Sequence, residues 1–255
     1  MLVLVGKDGP FIVGVQSPSL VARARKLLSS LRATRAMYAL IISGDSALER
    51  GDGGWGKAGA VTIAHERIRI MMRFAPANAP MVGDLPVIGF SEVFQLATND
   101  DEIHAVHQPA GFSDADVSVH FEERQFVYLG NLFTNDGYPV IDVTRGGSIA
   151  GLIQASEKFL EMFGGDPKLI EPIVPGRGAL ATISDLRAYR DMLVAVRNRI
   201  EPLLRSGRTV EDVVAFKPTA AFDARWGRGL VTADRFVAMV YSSLSSALKP
   251  EGAPR

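Results

Sequence analysis

The chain has 255 residues, 47% of them apolar, enough to bury a full core, and an α/β chain of this size is expected to form one domain spanning residues 1–255. Lys plus Arg and Asp plus Glu balance at 28 each, so no net charge draws the protein to nucleic acid or to an anionic membrane. Cysteine is absent, which excludes disulfides, thiolate metal ligands and Cys nucleophiles, and leaves histidine and carboxylate to carry any metal.

Leu2 to Val5 and Phe11 to Val15 are short β-branched runs on either side of Lys7-Asp8-Gly9-Pro10, which predicts an N-terminal hairpin. These charged and turn-forming residues interrupt the apolar start, which lacks the form of an export signal, so a cytoplasmic protein is expected. From Ser19 to Leu31, Leu20, Val21, Ala24, Leu27, Leu28 and Leu31 recur at helical spacing. Tyr38 to Ile42 has strand character, and the glycine-rich segment from Ser43 to Gly59 is a loop. Ala60 to Ala64 predicts a strand, Glu66 to Phe74 a helix, and residues 75–86 a Pro-rich connector.

Strands are then expected at Val87 to Phe90, Ile103 to His107, Asp116 to Phe121 and Gln125 to Leu129, as a meander. After Asn135-Asp136-Gly137 the pattern changes. Ser148 to Phe163 predicts a helix, Lys168 to Val174 a strand, and Ser184 an N-cap for a helix that Pro202 kinks and Gly207 stops. Val210 to Ala215 and Ala233 to Leu248 predict two last helices. Strands and helices alternate in both halves, residues 1–135 and 136–255, which favours two sheets faced by helices: a four-layer αβ/βα sandwich.

From Phe126 onward, VYLGNLFTNDGYPVIDVTRGGSIAGLIQASEKFL and IVPGRGALATISDLRAYRDML resemble the metallo-β-lactamase superfamily, in particular its hydrolase-like branch. Upstream, AGAVTIAHERIR and HQPAGFSDADVSVHF resemble segments of the same family, so nearly the whole chain is covered. The resemblance implies the metallo-β-lactamase fold and a metal site. Its Gly-Asp-Leu-Phe and Pro-Gly-His-Gly motifs read here Gly130-Asn131-Leu132-Phe133 and Pro175-Gly176-Arg177-Gly178. The family's His-x-His-x-Asp-His loop falls on Ser43, Gly44, Asp45, Ser46, Ala47 and Leu48, and its isolated histidine on Phe112. Ser43, Asp45, Ala47, Leu48, Phe112, Asn131 and Arg177 are therefore the degenerate metal-ligand positions.

Ser, Ala, Leu and Phe supply no ordinary zinc donor, and a guanidinium has no lone pair to give. No metal, no cofactor and no zinc hydrolase activity are expected. The residues for a remodelled pocket are Ser43, Asp45, His107, Phe112, Asp114, Asp116, Asn131 and Arg177. Arg177 either pairs with Asp45 and accepts a small anionic ligand, or closes a collapsed cavity that Phe112 and Leu48 fill. His107 is the best general base by type and Ser43 the best hydroxyl nucleophile, with nothing in the sequence to join them. Asp114 and Asp116, like Glu122 and Glu123, are read as solvated turn charges.

The leading functional expectation is a non-catalytic pseudoenzyme that binds a ligand or a partner, as a homodimer or beside an active paralogue, with no role for nucleic acid or membrane. Alternatives are a metal-independent hydrolase, lyase or cyclase, and a residual metal-dependent hydrolase.

Overall fold

The computed structural model describes residues 1–14, 18–31, 38–42, 54–74, 85–163 and 172–248. Ser43, Asp45, Ala47 and Leu48 lie outside the described residues, as does the first part of the strand expected from Lys168. The chain divides into two compact units, one of Met1–His107 with Ala115–Val127, the other of Gln108–Asp114 with Tyr128–Arg255.

In the first unit, β1 (Leu2–Leu4) and β2 (Phe11–Val13) form the expected antiparallel hairpin. Gly9 closes its turn at φ 92°, a left-handed value that glycine adopts without Cβ strain. Helix α1 (Pro18–Ser30) leads to β3 (Tyr38–Ile41), which runs parallel to β2. Strand β4 (Val61–His65) passes directly into α2 (Glu66–Arg73), and β5 (Ile88–Phe90) runs parallel to β4, giving the sheet order β1-β2-β3-β4-β5. The apolar stripe of α1 (Val21, Ala24, Leu28) and that of α2 (Ile68, Met72) pack into one buried cluster with Ile12, Ala39, Ile41 and Trp55. Such burial is the main force ordering these elements, at about 1.5–3 kcal/mol for each large side chain.

The same unit holds a meander of β6 (Val93–Thr98), β7 (Asp101–His107) and β8 (Val117–Phe121). The sequence patterning leaves β6 unassigned. Val93, Gln95 and Ala97 are exposed and the residues between only half-buried, so this edge strand carries no buried apolar row. Its turn to β7 uses Asn99 and Asp100 at φ 56° and 57°, the paired left-handed conformation favoured in two-residue hairpins.

Strand β9 (Phe126–Thr134) runs from the first unit into the second, and the order of its sheet is β10-β9-β8-β7-β6, with β10 spanning Ile173–Arg177. Both strands extend beyond their expected ends, so that Gly130-Asn131-Leu132-Phe133 and the Pro175-Gly176-Arg177 stretch lie within strands.

The second unit is otherwise helical. It contains α3 (Ile149–Phe163), α4 (Ile183–Arg205), α5 (Val210–Ala215), α6 (Asp223–Trp226) and α7 (Ala233–Ala247), with α4 packed against α3 and α7. Ser184 is not the N-cap of α4. Thr182 is, and it forms a capping box with Asp185: Thr182 Oγ1 accepts from the Asp185 N–H at 3.3 Å, and Asp185 Oδ2 accepts from the Thr182 N–H at 3.0 Å. Pro202 falls in the last turn, and the helix continues to Arg205. Leu186, Tyr189, Met192, Leu193, Val196 and Ile200 form the buried face of α4, with the Tyr189 ring between Phe133 and Trp226. No described helix is long and apolar enough to cross a membrane.

Candidate functional site

The second unit brings the two best-defined motifs together. A Cβ built on Gly176 would lie 2.4 Å from the Gly130 carbonyl oxygen and 3.2 Å from the Asn131 nitrogen, so β10 meets β9 at a contact that only glycine fits. The next residue, Arg177, accepts from the Asn135 N–H through its carbonyl at 2.9 Å, and its Nη2 donates to Asp136 Oδ2 at 2.9 Å. Thr134 Oγ1 donates to the other Asp136 oxygen at 2.7 Å.

Partial burial pushes the Asp136 carboxyl up, but the hydrogen bonds from Thr134 and Arg177 and the Arg177 charge outweigh it, holding the group below the usual carboxylate range. Arg177 thus already holds a carboxylate, supplied by Asp136. The pairing expected with Asp45 falls outside the described residues. The Arg177 and Asp136 side chains are 38% and 40% exposed, so the ion pair is a surface one, open to a competing anion from solvent. Asn131, on β9, is half-buried.

The segment carrying Phe112 docks on the start of α3. Ser148 Oγ donates to the Ala110 carbonyl at 3.0 Å, the Phe112 carbonyl accepts from the Asp142 N–H at 3.0 Å, and the Arg145 carbonyl accepts from the Asp114 N–H at 2.9 Å. A Cβ on Gly147 or Gly151 would fall 2.0 Å from the Phe112 oxygen or 1.8 Å from the Ala110 oxygen, which explains the small residues there. Phe112 is buried. The expectation of solvated turn charge fails for Asp116, which is 1% exposed and belongs to the first unit, whereas Asp114 is half-exposed in the second.

All four histidines lie in the first unit and fall into two pairs, a grouping that sequence reasoning missed. His65 ends β4 and caps α2. Its Nδ1 accepts from the Arg67 N–H at 3.3 Å and its Nε2 lies 2.7 Å from the Ser91 carbonyl, partners that assign the proton to Nε2. The His107 ring stacks on it, centroids 4.0 Å apart and planes 12° apart, with Phe90 edge-on to His65. His104 and His120 face each other across β7 and β8. His104 Nε2 lies 3.1 Å from Glu102 Oε1 without hydrogen-bond alignment, and its Nδ1 lies 3.8 Å from Glu122 Oε1. His107, the expected general base, is in a different unit from Asn131 and Arg177, and Ser43 lies outside the described residues.

These groups do not fit a zinc centre. Phe112 has no donor atom, Arg177 has no lone pair, and Asn131 offers only a neutral amide oxygen in place of a carboxylate. Among the described residues, no group of three or more His, Asp or Glu side chains is arranged to hold a metal ion.

No protein-family model matches the sequence, and no curated protein matches it. Solved structures do, and with the two sheets and their helices they establish the fold as that of the metallo-β-lactamases. The chain is similar to a metallo-β-lactamase from Pontibacter korlensis (TM-score 0.57, 12% identity, covering 75% of this chain and 85% of that one). It is similar to the DIM-1 metallo-β-lactamase over the same shares, at TM-score 0.60 and 12% identity. A stereoselective inverting sec-alkylsulfatase from Pseudomonas sp. matches 94% of this chain at TM-score 0.65 and 11% identity. This chain covers 46% of that sulfatase, about half its length.

Proposed function

We propose that this metallo-β-lactamase-fold protein is a non-catalytic member of its fold, a pseudoenzyme that binds a small ligand or a protein partner, as a homodimer or with an active paralogue. The observation that supports this reading is the Arg177–Asp136 ion pair. A cation that cannot be deprotonated stands at the end of β10, in the Pro-Gly-Arg-Gly motif where the resemblance expects a histidine ligand, and a carboxylate of the same unit neutralises it. Asn131, on the strand that Gly176 touches, repeats the pattern, with an amide in place of the expected aspartate. A divalent ion there would meet a fixed positive charge and lack the carboxylate needed to offset it.

Native mass spectrometry of the protein purified from its own host tests the proposal. The expected result is a polypeptide carrying no stoichiometric zinc, iron or manganese, with a bound small molecule or a second chain. Metal that survives dialysis against a chelator contradicts it, and so does a bare monomer with neither ligand nor partner. The metal-independent enzymatic alternative requires Asp45, Asn131, Arg177 and His107 to converge, and no observation on the described residues favours it.

A further inference from the structure

Strand β6 ends the order β10-β9-β8-β7-β6, so among the described residues only one of its sides is paired. Which of its backbone groups point away from β7 follows from the phase of that ladder. Antiparallel partners alternate between pairs that exchange two hydrogen bonds and pairs that exchange none. The His107 N–H donates to the Glu92 carbonyl at 2.8 Å, which makes Glu92 and His107 a bonded pair. Phe94 with Ala105, Leu96 with Ile103 and Thr98 with Asp101 are then bonded too, and the last of these closes the two-residue turn at Asn99 and Asp100. The N–H and C=O groups of Val93, Gln95 and Ala97 therefore point out of the sheet edge, where no described residue bonds to them.

Exposed edges are ordinarily protected by brevity, proline, charge or a bulge. The other strands at the sheet ends follow this rule: β1 and β5 have three residues each, and β10 carries Pro175 and Arg177. Strand β6 does not. Its six residues, Val-Phe-Gln-Leu-Ala-Thr, include no charge and no proline, and its register with β7 is unbroken.

We propose that β6 pairs with β6 of a second copy of this chain, antiparallel about a twofold axis at Gln95. The inference rests on the homodimer reading given above and places its contact. Only Val93, Gln95 and Ala97 offer bonds outward, so the axis can lie at Phe94, Gln95 or Leu96. At Gln95 all three residues are used: Gln95 meets its own copy and Val93 meets Ala97 on either side, each pair exchanging two hydrogen bonds. Phe94 then lies opposite Leu96 of the second copy, an apolar pair on the half-buried face. Glu92 lies opposite Thr98, so no carboxylate opposes another. An axis at Leu96 would set Glu92 against Asp100 and leave Val93 without a strand partner, and an axis at Phe94 would leave Ala97 without one. An isologous contact needs a surface complementary to itself, and a neutral strand with this symmetric row of donors and acceptors is one.

Sedimentation equilibrium of the full chain, with amide hydrogen exchange, tests the contact. The expected result is a dimer at about 0.1 mM in which the Val93, Gln95 and Ala97 amides are protected. Gln95→Pro removes only an outward N–H and keeps the ladder with β7, and dimer affinity falls about thirtyfold through the two central bonds. Gln95→Lys and Gln95→Glu each set like charges against each other across the axis and weaken the homodimer about fivefold. Mixed in equal amounts, these two variants form a heterodimer tighter than either homodimer, which also shows that both are folded. The mixture decides alone where Gln95→Pro does not fold. A chain that stays monomeric at that concentration, with or without a peptide on β6, overturns the inference and the homodimer reading together. A dimer that Gln95→Pro leaves unchanged, or whose Lys and Glu variants show no preference for each other, overturns the inference alone, since the homodimer then uses another surface.

Discussion

The Gly130 carbonyl oxygen occupies the space that a side chain on Gly176 would need, 2.4 Å from the position of its Cβ. This contact makes neighbours of two motifs that lie far apart in sequence. Gly176→Ala is therefore expected to force β9 and β10 apart and to cost about 3 kcal/mol or more, at the upper end of overpacking effects. Gly207→Ala is the control. Its Cβ would meet nothing within 4 Å, but φ 77° remains strained for alanine, so about 1 kcal/mol is expected. Urea unfolding of the two variants checks the order.

The Asp136 carboxyl has a folded-state pKa below its ordinary value. Its stabilisation is complete above the unfolded pKa, near 3.9, and is lost as pH falls through the lower folded value. Asp136→Asn and Arg177→Gln should each flatten the fall in stability below about pH 4. At pH 7 each should cost only about 0–1 kcal/mol, because the pair is about 40% exposed. Unfolding midpoints at pH 7 and pH 3 measure both effects.

His65 both caps α2 and stacks on His107. His65→Ala is expected to cost about 1–2 kcal/mol, and His65→Asn less, since a carboxamide oxygen can still accept from the Arg67 N–H. Equal losses in the two variants would show that the cap contributes nothing. Calorimetric melting separates them.

At the start of α4, Thr182→Ala should cost about 1 kcal/mol through loss of the capping box, whereas Ser184→Ala should change stability by less than about 0.5 kcal/mol. The reverse order would restore Ser184 as the cap.

The repeating elements are legible because their periodicity is local. The parallel strands with their helices, the stripe of α4 and the hairpin turn at Lys7 to Pro10 can each be read from a dozen residues. Edge strand β6 is not, since Val93, Gln95 and Ala97 face solvent and leave no alternation to detect. The cap moved from Ser184 to Thr182 because both are good capping types and only the reciprocal bond to Asp185 distinguishes them. The partner of Arg177 and the pairing of His65 with His107 depend on contacts between residues about forty positions apart, which no local pattern encodes. The neighbours of Asp116 carry turn chemistry, while its burial is a tertiary property.

The proposal that the Arg177–Asp136 pair stands where a metal ligand would is tested most directly by equilibrium dialysis of the purified full-length chain against zinc and manganese, followed by elemental analysis, for the natural sequence and for Arg177→His. The natural chain is expected to retain less than stoichiometric metal. Arg177→His alone should not restore a site, because Asn131 and Phe112 still lack the donors it needs. One or two equivalents of tightly held metal in the natural chain, lost on substitution of Asp136 or Asn131, would contradict the reading of this fold as a dismantled metal centre.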